Sequence, residues 1–162
     1  MEPSFAHTLT DKKEAYQKFI QEFSAFIEGE EEEISVMANA SAALRQAFGF
    51  FWTGFYIVKN DMLILGPFQG DIACSRIQRG KGVCGTAWNK SETIIVDDVD
   101  KFPGHIACSS ASRSEIVVPL LHKGIVRAVL DIDSDKLSTF DNIDKQYMEQ
   151  LTEIISRNIY KG

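Results

Sequence analysis

Apolar residues recur at intervals of three and four through the first fifty positions, which is the spacing of amphipathic helices. The first helix is predicted over DKKEAYQKFIQEFSAFIE (residues 11–28), with Thr10 as its N-terminal cap. The acidic run from Glu30 to Glu33 favours the N-terminus of a second helix, since negative charge there meets the positive end of the helix dipole. That helix is predicted to end at Gly49, because glycine suits the conformation that closes a helix.

From Phe51 onward the pattern changes to that of strands. FWTGFYIVK and MLILGPF flank Asn60-Asp61 and predict one hairpin, and EIVVPLLHKGIVRAVLDIDS predicts another with its turn at 122–124. Shorter strands are predicted in ACSRIQ and ETIIVDDV. A last helix follows Phe140-Asp141, with an apolar stripe formed by Ile143, Tyr147, Met148, Leu151, Ile154, Ile155 and Ile159.

This order of elements predicts an α+β fold in a single domain over residues 1–162. The sheet is expected to be mainly antiparallel, with helices packed on one face and ligand-binding loops over the other. RGKGVCGTAWNK (79–90) is interpreted as a loop that leads into a short helix, and DKFPGHIACSSASRS (100–114) as a long irregular segment. Such segments inside a compact domain are usually functional.

Composition excludes several classes of protein. The chain has 162 residues, of which 44% are hydrophobic and 25% charged, as in ordinary globular proteins. Its net charge of −6 argues against nucleic acid or an anionic membrane as a partner, since both require clustered basic residues. The N-terminus does not resemble a secretory signal, and no apolar run has the length of a membrane span. A cytoplasmic location is therefore expected.

Three cysteines, Cys74, Cys84 and Cys108, are the first candidates for chemistry. Their spacing fits neither a CxxC redox pair nor a zinc site. Cys108 lies in the irregular segment and Cys84 is flanked by glycines, whereas Cys74 is placed at the start of a strand or bulge. Cysteines in a reducing compartment form transient rather than structural disulfides. The alternative for each cysteine is a small buried apolar residue.

Carboxylates are the second candidates. Asp131 and Asp133 are two residues apart in a predicted strand and therefore project from the same face. Glu115 opens the partner strand, so the turn brings all three toward the same end of the hairpin. Crowding raises the pKa of at least one of them, which leaves a proton available near neutral pH. The alternative is a cluster that only caps the following loop.

Aromatic residues are the third candidates. Trp52 and Tyr56 share one face of a predicted strand, and Gly54 between them is expected to leave an open space. Each has a polar group suited to a pocket wall. The alternative, that both are ordinary core residues, is equally compatible with the pattern.

Three motifs resemble those of the free methionine-(R)-sulfoxide reductases, which have the GAF fold: GPFQGDIACSRIQRGKGVCGTAW, VDDVDKFPGHIACSSASRSEIVVPL and VLDIDS. The resemblance implies that Cys108 is the nucleophile, with Cys84 as the second choice, and that Cys74 or Cys84 is the resolving thiol. It also implies a pocket lined by Glu115, Asp131 and Asp133 with an apolar wall of Trp52 and Tyr56. The backbone around Ile106, Ala107 and Cys108 is expected to receive the substrate carboxylate.

The reaction implied by the resemblance is the reduction of free methionine (R)-sulfoxide by way of a sulfenic acid and an intramolecular disulfide, which a thioredoxin-type dithiol reduces again. No metal and no organic cofactor is expected. The sequence leaves open whether the chain forms a homodimer. Two alternatives are a GAF module that senses a small ligand and a redox sensor without turnover. A metal enzyme that uses His105, Cys108 and the aspartates is disfavoured, since His105 has no companion ligand at metal spacing.

Overall fold

The computed structural model describes residues 3–106, 108 and 111–162. Four helices and six strands follow the predicted order, with a single turn of 3₁₀ helix at Val99–Lys101. Their bounds are α1 Lys12–Phe26, α2 Glu33–Phe48, β1 Trp52–Lys59, β2 Met62–Gln69, β3 Arg76–Gln78, α3 Gly82–Lys90, β4 Ile94–Val96, β5 Ser114–His122, β6 Ile125–Ser134 and α4 Asn142–Ile159.

The strands form one antiparallel sheet in the order β3-β2-β1-β6-β5-β4. Both predicted hairpins are present. Asn60 and Asp61 have φ values of 52° and 61°, and Lys123 and Gly124 have φ values of 53° and 77°. Positive φ at both central residues is the geometry of tight two-residue hairpin turns. The second turn is thus shorter than predicted, since His122 is already paired with Ile125.

Alternation along the strands divides the apolar residues into two cores. The first core lies between the sheet and helices α1, α2 and α4, and it includes Ile116, Val118 and Leu130. The second lies on the opposite face and includes Val117 and Val129 together with α3. Since residues two apart share a face, Glu115, Asp131 and Asp133 belong to this second face.

Helix α1 is capped by Asp11, whose side chain accepts a hydrogen bond from the amide of Glu14, so the prediction of Thr10 as the cap was wrong by one residue. Buried Asp144 of α4 joins the two terminal helices: it accepts hydrogen bonds from Nζ of Lys12 at 2.6 Å and from the Tyr16 hydroxyl. Helices α1 and α4 are therefore linked to each other where they pack over the first core.

The α+β fold and its antiparallel sheet confirm the predicted class. One detail differs, because α3 packs on the second face, where loops alone were expected. Its position depends on close contact at Gly85, where a Cβ atom would clash with the carbonyl oxygen of Gln78. Within the described ranges no helix combines the length and the apolar composition needed to cross a membrane.

Candidate active site

A pocket opens on the second face of the sheet, enclosed by α3 and by the irregular segments that follow β2 and precede β5. Its volume is about 50 Å³, enough for a few water molecules. The lining side chains combine carboxyl groups, two cysteines and apolar walls: Trp52, Tyr56, Ile72, Ala73, Ile77, Lys81, Gly82, Val83, Cys84, His105, Ile106, Cys108, Ser112, Glu115, Asp131 and Asp133.

The pairing of β5 and β6 brings the three carboxyl groups together. Glu115 lies opposite Asp133, and Asp131 is one position further along the same face. Glu115 and Asp131 each keep only 6% of their surface exposed. Glu115 is hydrogen-bonded to both aspartates. The predicted clustering of these residues at one end of the hairpin is therefore what the fold produces.

Burial is the main cause of the altered acidity of this cluster. It raises the pKa of Glu115 well above its usual range, and the charges of Asp131 and Asp133 raise it further. Burial and the charge of Asp131 raise the pKa of Asp133 in the same way. Burial also raises the pKa of Asp131, but hydrogen bonds from Glu115 and Cys84 and the nearby His105 oppose the effect. Asp131 is thus the member best suited to carry the negative charge, while burial favours the protonated forms of Glu115 and Asp133.

Cys84 is the cysteine that contacts this cluster. It lies in the first turn of α3, not in an irregular loop as the glycines around it suggested. Its side chain is buried and hydrogen-bonded to Asp131. Burial, followed by the charges of Asp131 and Glu115, raises the pKa of the thiol well above its usual value. A thiol in these surroundings stays protonated and is a poor nucleophile.

Cys74 and Cys108 are joined by a disulfide, with their Cα atoms 5.4 Å apart. Cys108 lines the pocket, and Cys74 lies in the irregular segment just before β3 begins at Arg76 rather than inside a strand. This disulfide leaves Cys84 as the free cysteine of the chain.

The polar groups of the two pocket aromatics hold the segment that carries Cys74. Nε1 of Trp52 donates a hydrogen bond to the carbonyl oxygen of Asp71 at 2.9 Å, and the Tyr56 hydroxyl donates to the carbonyl oxygen of Cys74 at 2.9 Å. Gly54 does not leave an open space between the two rings, because a Cβ atom there would clash with Phe68 and lie 2.9 Å from Cη2 of Trp52. That space is filled by Cα and Cβ of Phe68, whose ring stacks on Trp52.

The backbone predicted to receive the substrate carboxylate is described only in part. Ala107 lies outside the described residues. The side chain of Ile106 lines the pocket and is 38% exposed. The amide of Cys108 donates to the carbonyl oxygen of Ile106 at 3.0 Å, so in this disulfide-linked form it is already engaged.

Three polar pocket residues were not assigned to the pocket from the sequence. Ser112 is buried beside the cluster, Lys81 reaches the pocket from the residue before α3, and Nδ1 of His105 is buried with no hydrogen-bond partner among the described residues. His105 stands three residues before Cys108 in a loop, which is a weak signal by itself. Ser112 and Lys81 carried no pattern that marks them.

Comparisons with known proteins define the class. A family model of the GAF domain matches residues 30–159. A crystal structure of free methionine-R-sulfoxide reductase from Neisseria meningitidis in complex with its substrate superposes on this chain with a TM-score of 0.92. The two sequences are 46% identical, and the match covers 94% of this chain and 93% of that one. The fold is thus that of a GAF-domain protein.

Relatives in sequence narrow the class further. The chain is 45% identical to the free methionine-R-sulfoxide reductase of Escherichia coli, over 87% of this chain and 86% of that protein. It is 52% identical to GAF domain-containing protein A of Dictyostelium discoideum, over 89% of this chain and 92% of that protein. The chain belongs to the free methionine-R-sulfoxide reductase family, a family of oxidoreductases, which confirms the resemblance seen in the motifs.

The Tyr56 hydroxyl is expected to position Cys74 for its disulfide. Tyr56→Phe keeps the aromatic wall but removes one of the two anchors of the segment, worth on the order of 1 kcal/mol. We expect the disulfide of the variant to be reduced more easily, by about fivefold in its equilibrium constant with dithiothreitol. Tyr147→Phe is the control, since that hydroxyl lies on α4 and interacts with Gln17. An equilibrium unchanged by Tyr56→Phe would rule out the anchoring role.

Glu115→Gln is expected to stabilise the protein at alkaline pH. The raised pKa values mean that the folded state binds more protons than the unfolded state, so the free energy of unfolding falls as pH rises above about 4. An amide can still donate to the aspartates but adds no charge. When the pH is raised from about 5 to about 8, we expect the free energy of unfolding of the variant to increase relative to that of the wild type by on the order of 1 kcal/mol.

Urea unfolding at both pH values measures this change. The matched control is Glu92→Gln, which alters an exposed glutamate. A gain that is the same at both pH values, or a loss that grows with pH, would contradict the raised pKa of Glu115 as the source of the pH dependence.

Proposed function

We propose that this protein reduces the R-sulfoxide of free methionine, with Cys108 as nucleophile and Cys74 as resolving thiol. The observation that carries the proposal is that Cys108 shares one small pocket with a buried cluster of three carboxyl groups, whose burial favours their protonated forms. Membership of the family and its solved complex with substrate support the choice of reaction. The cluster supports the chemistry, since oxide is a poor leaving group until it is protonated.

In the first step the Cys108 thiolate attacks the sulfoxide sulfur while a carboxyl group delivers a proton to the sulfoxide oxygen. The oxygen passes to the sulfur of Cys108, which becomes a sulfenic acid, and methionine leaves. Glu115 is the proposed donor, because burial and both aspartates favour its protonated form. Asp133 is the alternative donor on the same strand pair.

In the second step the Cys74 thiol attacks the sulfenic acid, a disulfide forms and water leaves. The Cα separation of 5.4 Å between Cys74 and Cys108 supports this pairing. Cys84 is less suited to either step, because its thiol is buried, bonded to Asp131 and held in the protonated form. A dithiol protein of the thioredoxin type would then reduce the disulfide by exchange. A cytoplasmic location fits this cycle.

Recognition of a free amino acid is proposed to depend on both of its charges. Burial raises the pKa of Asp131, but hydrogen bonds and the nearby His105 oppose this effect and so favour its charged form. Asp131 is therefore the proposed partner of the substrate ammonium. Loop amides near Ile106 would receive the substrate carboxylate once the Cys108 segment is released from its disulfide. The rings of Trp52 and Tyr56 would contact the methyl and methylene groups.

Cysteine variants test the order of steps. With thioredoxin, thioredoxin reductase and NADPH as the reductant, Cys108→Ser is expected to release no methionine. Cys74→Ser is expected to release about one methionine per chain and then stop, because the sulfenic acid has no resolving thiol. Cys84→Ser is expected to turn over repeatedly. Mass spectrometry after dimedone treatment should find the sulfenic acid on Cys108 of the Cys74 variant.

Other outcomes separate the alternatives. If Cys108→Ser still releases methionine, the nucleophile is misassigned. If Cys74→Ser turns over repeatedly and Cys84→Ser turns over only once, the resolving thiol is Cys84. If the wild type binds methionine sulfoxide but never reduces either epimer, the protein is a ligand-binding GAF module.

Blocking the substrate ammonium tests recognition. Acetylation of the α-amino group of methionine (R)-sulfoxide is expected to lower kcat/KM of the wild type by about tenfold to a hundredfold, since a charge-assisted hydrogen bond is lost and Asp131 is left unpaired. Asp131→Asn should lower kcat/KM for the free amino acid and leave a much smaller effect of acetylation. An equal effect of acetylation on both proteins would show that Asp131 does not bind the ammonium.

A further inference from the structure

The geometry points to a binding site for one thiophilic divalent cation, such as Zn²⁺ or Cd²⁺, formed by Cys84, Asp131 and Glu115. The thiol sulfur and one oxygen of each carboxyl group all lie within 4.8 Å of one another. The three ligands come from α3, β6 and β5, so the site exists only in the folded chain. All three side chains are buried.

An unpartnered atom marks this site as incomplete. Oδ1 of Asp131 is buried and has no hydrogen-bond partner among the described residues. The residue is only 6% exposed, so bulk water does not supply a partner. An orphaned buried oxygen is costly, and the cost is removed by a cation or a donor. In the present structure the groups next to Asp131 are the acidic side chains of Cys84 and Glu115, with His105 also near it.

The ligand set suits a zinc-like ion. Zn²⁺ accepts thiolate at about 2.3 Å and carboxylate oxygen at about 2.0–2.2 Å, with water completing four-coordination. Two ligands of a tetrahedral ion with these bond lengths lie about 3.4–3.7 Å apart, so atoms that are up to 4.8 Å apart need to approach one another by roughly 1 Å. Side-chain rotations supply a movement of that size. Binding displaces protons from the ligands, and the positive charge of the ion then offsets the negative charges of the crowded acidic groups.

This site is independent of the redox state of the other two cysteines. Cys84 remains a free thiol while Cys74 and Cys108 are joined, so the cation can bind the oxidised protein. If the proposed function holds, the ion also occupies the proton donor Glu115 and the ammonium partner Asp131. Zn²⁺ would then act as an inhibitor that competes with the substrate.

A spectroscopic titration of the oxidised protein tests the site without reference to activity. With the disulfide closed, a thiolate-to-metal charge-transfer band on adding Co²⁺ or Cd²⁺ reports Cys84. We expect saturation at one ion per chain, displacement of Co²⁺ by Zn²⁺, and loss of the band in Cys84→Ser. Asp131→Asn is expected to weaken binding by at least about tenfold, as for removal of a metal ligand or its support.

Two controls keep the result interpretable. Glu92→Gln removes an exposed carboxylate and should bind Co²⁺ as the wild type does, and circular dichroism checks that each variant is folded. The proposal is overturned if no charge-transfer band appears, or if the band and its affinity are unchanged in folded Asp131→Asn. Several weak ions per chain with no dependence on Cys84 would overturn it as well.

A single-turnover assay with reduced, desalted protein tests the consequence for catalysis. Zn²⁺ is expected to block methionine release, methionine sulfoxide is expected to protect, and Cys84→Ser should require at least about tenfold more Zn²⁺. Failure of the proposed function is seen as no methionine release without metal, whereas failure of the site is seen in the titration. Inhibition that persists unchanged in Cys84→Ser assigns the effect to Cys74 and Cys108 and contradicts the competitive role.

Discussion

The antiparallel pairing of β5 with β6 is the constraint on which the site depends. Because residues alternate between the faces of a strand, this register places Glu115, Asp131 and Asp133 on the face away from the three large helices. A slip of β6 by one residue would turn Asp131 and Asp133 into the first core and bring Ile132 out to the pocket, away from Glu115 on β5. The apolar residues that fill the helix side therefore also fix the positions of the acids.

Holding several acids in one buried place opposes folding, and the first core compensates for it. The aromatic residues of α1 and the apolar stripe of α4 are buried against the sheet, and Asp144 links the two helices through Lys12 and Tyr16. The Asp144 network is paired, but the buried hydroxyl groups of Ser156 and Tyr160 on the same side have no hydrogen-bond partner among the described residues, and neither has Oδ1 of Asp131 on the other side.

Local patterns were sufficient to predict the helices, both hairpins and the shared face of Asp131 and Asp133. Each of these follows from a period of 3.6 or 2 and from turn residues that tolerate positive φ. The contact between Cys84 and Asp131 could not be predicted in this way, since it depends on how α3 packs across the sheet, and the glycines around Cys84 suggested a loop. The filled space at Gly54 could not be predicted for the same reason, because the residue that fills it, Phe68, belongs to the neighbouring strand β2. Thr10 and Asp11 are both good caps, and only the backbone geometry decides between them.

The positions of the three thiols follow from the same electrostatics. A thiol beside buried carboxyl groups is kept protonated, so the cysteine that touches the acids is the one least able to attack. A nucleophile that uses those acids has to approach from another element, and it has to leave the pocket to exchange electrons with a partner. Cys108, the proposed nucleophile, lies in a segment outside the sheet and lines the pocket while bonded to Cys74. Cys84 is buried in α3 against the acids, and a thiol held there beside two carboxyl groups is better suited to hold an ion than to turn over.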